Sequence, residues 1–182
     1  FRFDLMGVLD IETLNEARKA LLKINPDIIM YGEGWTGGES TLPESERGMK
    51  INAPRTPGIG MFSDDIRDAV KGHVFYMDEL GFVNGAADRG EELKQAVTCA
   101  KWAKSPMQSI NYLSCHDNYT LWDRFIISNS HESEEMRIRM NKLAAAILFT
   151  AQGIPFFLHG EEFARTKISE ADGAPVENSY CS

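Results

Sequence analysis

Short unbroken apolar runs alternate along this chain with longer stretches whose apolar residues recur at helical spacing. Ile28 to Tyr31 is one such run, long enough for a buried strand. It ends abruptly at Gly32-Glu33-Gly34-Trp35, where a glycine on each side lets the backbone turn and leaves Glu33 at the strand mouth. Phe1 to Phe3 reads as the end of another strand, followed by Asp4. Between them Ile11, Leu14, Ala17 and Leu21 share one face, Asp10 can cap that face, and Asn25-Pro26 stops it, which predicts a helix over 11–23. Strand, helix and strand at this spacing form a βα unit that returns to a parallel strand.

The pattern continues. Gly60 to Ser63 reads as a third, weaker strand, and Asp64 or Asp65 opens a short helix to Val70. Glu91 to Lys101 reads as a helix with acids at its start and lysines toward its end, as the helix dipole favours. Gln108 to Leu113 is a fourth strand, running into Ser114-Cys115-His116-Asp117-Asn118. Ser133 caps the longest helix, with Met136, Met140, Leu143, Ile147 and Ala151 as its buried stripe and Gly153 at its close. The methionines there are core packing. Ile154 to His159 is a fifth strand, leading to Gly160-Glu161-Glu162. Two stretches resist assignment: the Gly/Pro/Ser/Thr-rich loop from Trp35 to Pro57, of a length that is usually functional or mobile, and Lys71 to Arg89, broken by glycines.

No solenoid repeat is present, and strands separated by helices predict a parallel α/β protein. An open sheet and part of a (β/α)8 barrel share this pattern. A complete barrel needs about 250 residues, so the barrel reading of these 182 residues requires a fragment. The abrupt strand end at Phe1 and the unterminated stretch from Glu177 to Ser182 suggest one cut at both ends.

Charge narrows the partners. A net charge of −8 and a pI near 5.0 argue against nucleic acid, which calls for clustered Lys and Arg. No run approaches the roughly 18 apolar residues of a membrane span, and no signal peptide is visible. Cys99, Cys115 and Cys181 are too few and scattered for a disulfide framework or zinc site; each reads as a buried or half-buried thiol, and they favour neither a cytoplasmic nor a secreted protein.

Three signals bear on chemistry. Gly32 to Gly37 matches G-x-G-x-x-G, but no helical pattern follows and no acid lies between Lys50 and Ser63 to hold a ribose, so a dinucleotide site is set aside. His116 and Asp117 are metal-ligand types without a completed ligand set in the sequence, and Asn118-Tyr119-Thr120 is a formal glycosylation sequon whose glycan would block the strand mouth. The third signal is that Asp4, Glu33 and His116-Asp117 all follow strands. Converging carboxyls suit glycoside hydrolysis, in which one carboxylate attacks and another, kept protonated by its surroundings, donates to the leaving oxygen. Arg2 lies on the face of Asp4 by strand alternation and can hold it ionised; Trp35 offers a flat apolar face for a sugar ring. The plain alternative is a set of helix caps and solvated loop acids.

These residues resemble the α-amylase superfamily, glycoside hydrolase family thirteen. Phe1-Arg2-Phe3-Asp4-Leu5-Met6 resembles its nucleophile motif, Tyr31-Gly32-Glu33-Gly34-Trp35 its acid/base motif, and Asn111 to Asn118 its transition-state-stabiliser motif. Asp4-Leu5-Met6-Gly7, Gly34 to Gly38, Thr120-Leu121-Trp122-Asp123, and Gln152 to Pro155 with Glu162 to Lys167 are similar to type I pullulanases. The resemblance covers essentially the whole chain.

It implies Asp4 as nucleophile, Glu33 as general acid/base and Asp117 as the third carboxylate, bonding sugar hydroxyls. It further implies Arg2 orienting Asp4, His116 binding sugar, and Trp35 and Asn118 as subsite contacts. The implied reaction is retaining hydrolysis of α-1,6 branch linkages in pullulan, amylopectin and related α-glucans. The implied fold is strands four to eight of a (β/α)8 barrel, a partial catalytic domain over residues 1–182. No cofactor is required; some relatives bind calcium, though no calcium loop is recognisable. Because half the barrel is absent, the fragment alone is expected to be weakly active or inactive, and its open edge to favour self-association. The alternatives are a non-catalytic glucan-binding relative and a family enzyme of other linkage preference, an isoamylase or α-amylase.

Overall fold

Arg2 and Phe3 (β1) pair in parallel with Tyr31 and Gly32 (β2), which pair in parallel with Gly60–Ser63 (β3). Ser109–Asn111 (β4) and Ile154–Pro155 (β5) complete a sheet of five strands ordered β1-β2-β3-β4-β5. Strand order therefore follows chain order, as expected of an α/β protein with parallel strands. The computed structural model describes residues 1–169 and 171–177; Cys181, expected to be a buried or half-buried thiol, lies outside them. Cys99 and Cys115 are half-buried and unbridged.

The chain divides into two compact units. The first holds residues 1–63, 99–110 and 152–154. Its core is Met6, Leu14, Met30, Ala53, Ile59 and Met61, with Phe3, Leu21 and Trp102 packed against it. Helix α1 (Ile11–Ile24) lays Ile11 and Leu14 into this unit, and the Asp10 carboxylate accepts from the Thr13 N–H at 2.7 Å to cap it. The apolar run before β2 is not all strand. Ile29 is 66% exposed and only Tyr31 and Gly32 enter the ladder, while the Met30 carbonyl accepts from the Gly60 N–H. The stretch expected to be a bare loop after Trp35 contains 3-10 turns at Glu44–Glu46 and Lys50–Arg55.

The second unit holds residues 64–98, 111–151 and 155–182. Helices α2 (Asp64–Lys71), α3 (Gly90–Val97), α4 (Leu121–Ser128) and α5 (Glu134–Thr150) contribute its core, which includes Ile66, Val70, Leu113, Phe125, Ala144 and Leu148. Four expectations are corrected here. Helix α3 stops at Val97, short of Lys101, and Cys99 at φ 115 has left the helical region. Helix α4, whose cap Thr120 accepts from the Asp123 N–H, was absent from the pattern reading. The buried face of α5 centres on Ala144 and Leu148; Met140, Ile147 and Ala151 pack beside them, while Met136 and Leu143 are exposed, because small Ala144 allows the closer approach. The fourth and fifth strands are three and two residues long, shorter than their apolar runs. Among the described residues no helix is long and apolar enough to cross a membrane.

Candidate active site

In the first unit the register Arg2↔Tyr31 and Phe3↔Gly32 brings Asp4 and Glu33 off adjacent strands at one level. The Glu33 N–H donates to the Phe3 carbonyl at 3.1 Å, fixing that level. Gly32 is required there: a Cβ would lie 2.5 Å from the Phe3 carbonyl oxygen. Glu33 is 4% exposed. Its Oε1 accepts from Arg2 Nη2 at 2.5 Å and its Oε2 from the Leu5 N–H at 2.8 Å. The other arm of Arg2, Nη1, donates to Asp4 Oδ1 at 3.1 Å.

One guanidinium thus spans both carboxylates, and a carboxylate oxygen of Asp4 lies within 4.8 Å of one of Glu33. The side chain of Asp4 is 68% exposed, free to meet a ligand. Arg2 also lies over the ring of Phe62 at 5.9 Å, and Phe62 meets Tyr31 edge-on. Leu5 takes a left-handed φ of 40, strained for a branched side chain, and this aims its N–H at Glu33. Trp35 is half-buried, and its carbonyl accepts from the Gly7 N–H at 3.0 Å. Beyond it, a Cβ on Gly38 would meet nothing within 4 Å.

In the second unit the residues after β4 form a closed loop. The Ser114 hydroxyl accepts from the Leu121 N–H at 2.8 Å, tying the loop ends. His116 Nε2 lies 3.5 Å from Asp117 Oδ2, and both side chains are partly exposed. Asn118 adopts φ 60, a conformation asparagine tolerates, and its amide reaches Glu177 Oε1 at 3.5 Å. Lys167 donates from its ammonium to the carbonyls of His116, Asn118 and Glu177. Cys115, His116 and Asp117 offer three metal-ligand atoms within 4.8 Å, so Cys115 supplies the third donor the sequence reading did not count. Burial pushes the Cys115 thiol up and its Sγ lies 3.7 Å from the Asp117 carbonyl, an arrangement of a protonated thiol rather than a ligating thiolate.

The same unit buries a second polar group. Tyr112 accepts from Arg67, which also grips Asp68 through two nitrogens. Lys71 and Glu161 are both buried and sense each other's charge. Burial pulls Lys71 down to about 8 and pushes Glu161 up to about 7.

The structure therefore groups Arg2, Asp4 and Glu33 in one unit and His116, Asp117 and Asn118 in the other. Sequence reasoning missed Leu5, Phe62 and Lys167. Leu5 and Lys167 lie inside recognisable motifs, but nothing in their residue type announces a backbone donor or a carbonyl clamp.

No family model matches the chain. The pullulanase of Bacillus subtilis strain 168 is 40% identical over 187 residues, covering 99% of this chain. A crystal structure of the pullulanase from Anoxybacillus sp. LM18-11 complexed with maltotetraose superposes with a TM-score of 0.92 at 46% identity, covering 99% of this chain and 26% of that one. The Paenibacillus barengoltzii pullulanase, complexed with maltohexaose and alpha-cyclodextrin, gives 0.89 at 47% identity, again over 99% of this chain and 28% of that one. By sequence and fold, the chain is similar to a segment of pullulanases over nearly its whole length. It spans 25% of the length of the Bacillus subtilis pullulanase. The motifs that resembled pullulanases thus lie in a chain that matches pullulanases from end to end.

Proposed function

We propose that this chain forms part of a debranching glycoside hydrolase that cleaves α-1,6 linkages in pullulan, amylopectin and related α-glucans with retention. The observation that carries the reading is the two-armed bridge of Arg2 between Asp4 and Glu33 at adjacent strand ends. Retaining glycosidases hold their two carboxyls about 5–5.5 Å apart; the approach of Asp4 and Glu33 within 4.8 Å supports that geometry. Asp4, open to solvent and steadied by Arg2, attacks the anomeric carbon as the leaving oxygen takes a proton from Glu33. Glu33 then accepts a proton from the water that breaks the glycosyl–Asp4 bond. Asp117 bonds sugar hydroxyls as the ring distorts, with His116, Asn118 and Trp35 as further glucan contacts. The relatives seen with maltooligosaccharides support an α-glucan as the ligand.

The sheet order and the pullulanase match support a finer fold reading, strands four to eight of a (β/α)8 barrel, with residues 1–182 a partial catalytic domain. Alone, the chain is expected to be weakly active or inactive, and an open barrel edge would favour self-association. The chemistry uses carboxyls and water and calls for no cofactor.

The test exchanges this chain for the matching segment of the Bacillus subtilis pullulanase and assays pullulan. Maltotriose released by the exchange protein and abolished by Glu33→Gln supports the reading. Panose or isopanose would reassign the linkage, and binding without any product would leave a glucan-binding protein.

A further inference from the structure

Lys167 is 2% exposed, and among the described residues no carboxylate pairs with its ammonium by direct contact. Its ammonium has three N–H groups, and each finds a carbonyl: His116 at 2.7 Å, Asn118, and Glu177 at 3.0 Å. Two of these acceptors flank Asp117 in the chain. The left-handed turn at Asn118 lets both face one cation. The backbone of Lys167 is pinned as well, its N–H donating at 2.8 Å to Asp123 Oδ2, a fully buried carboxylate on α4. Burying an ammonium is costly unless its donors are all used. Here they are spent on fixing the backbone on either side of one residue.

We infer that Lys167 is a positioning residue for Asp117, a clamp on the carbonyls of His116 and Asn118 that holds the carboxylate where it meets a distorting sugar ring. The inference rests on reading Asp117 as the third carboxylate of a pullulanase-type site. It also accounts for the bond to Glu177: the same cation ties a second segment to the loop, so the loop is braced from two sides. If Lys167 only filled space, an apolar side chain of its length would serve as well.

The experiment compares Lys167→Met and Lys167→Ala in the exchange protein described above. Lys167→Met is expected to stay folded, with a lower urea midpoint, and to lower kcat on pullulan about 100-fold, the scale of a 1 Å misplacement, with KM changed less than about 3-fold. For Lys167→Ala, n-propylammonium replaces the missing atoms and is expected to restore kcat, whereas n-propanol is not. Wild-type kcat in Lys167→Met, or equal rescue by n-propanol, overturns the inference. Should the unsubstituted exchange protein be inactive, the functional reading fails, and the clamp is judged on the 182-residue chain itself by amide NMR. Shifts confined to residues 116–119 and 177 in Lys167→Met support it; unchanged signals there overturn it.

Discussion

The backbone N–H of Leu5 donates to Oε2 of Glu33 at 2.8 Å, and it does so from a left-handed conformation at φ 40. Such a conformation costs an L-residue roughly 1–2 kcal/mol, strain retained beside a candidate acid/base. Leu5→Gly is expected to keep the bond and leave turnover within about 3-fold, since glycine reaches that conformation freely. Leu5→Pro lacks the N–H and cannot reach φ 40; it should lose at least about 3 kcal/mol of stability and most activity. Urea unfolding and pullulan hydrolysis read the two effects.

Arg2 cannot be replaced by lysine without breaking one of its arms. A lysine is a point donor and cannot hold both carboxylates in the fixed geometry of a guanidinium. Arg2→Lys is expected to keep the contact with buried Glu33 and release exposed Asp4, lowering kcat about 10- to 100-fold; one hydrogen bond to a charged group is worth about 1.5–3 kcal/mol. Arg2→Met should cost more than Arg2→Lys. Equal losses would mean that the bridge has no mechanical role.

Stability should depend on pH through Glu161. Its carboxyl ordinarily titrates at 4.5, and burial raises it to about 7. Between those values the folded chain holds a proton that the unfolded chain has released, so stability falls as pH rises through this window. Lys71, lowered from 10.5 to about 8, acts in the opposite direction, and stability returns as pH rises from about 8 toward 10.5. The unfolding free energy should therefore be lower at pH 7 than at pH 5 by an amount on the order of 2 kcal/mol, with a correspondingly lower urea midpoint. Glu161→Gln should flatten that difference, and a slope unchanged by the substitution would contradict it.

Arg124 holds the segment after α2. It is 1% exposed and donates to the carbonyls of Lys71, Tyr76 and Glu79. Arg124→Met removes the donor from these carbonyls, a loss of about 0.5–1.5 kcal/mol per hydrogen bond. Hydrogen exchange should accelerate over residues 72–81 before it does in α5, and the urea midpoint should fall.

How much of this was legible in the sequence depends on whether a residue acts through its neighbours in the chain. Asp10 capping α1 and Ser133 capping α5 were readable, because a cap and its partner lie three residues apart. Glu33 was readable from its flanking glycines, and Arg2 with Asp4 from strand alternation. The arm from Arg2 to Glu33 crosses 31 residues and the clamp from Lys167 to His116 crosses 51, so no spacing rule carries either. Helix α4 is only eight residues long, too short for its apolar positions to establish a helical period, so its cap at Thr120 is not distinctive in the sequence. The stripe on α5 was read too far toward Met136 and Leu143, since periodicity gives a face but not which side of it meets the core.

The crowding at Gly32 and the openness at Gly38 divide the segment after β2 into two evolutionary regimes. At Gly32 any side chain collides with the neighbouring strand, so drift there is closed whatever glucan is selected for. Six residues later, Gly38 faces open space, and a new side chain can be tried without disturbing the fold. Diversity in a directed-evolution library of this segment belongs at Gly38, beside a scaffold that mutation leaves intact.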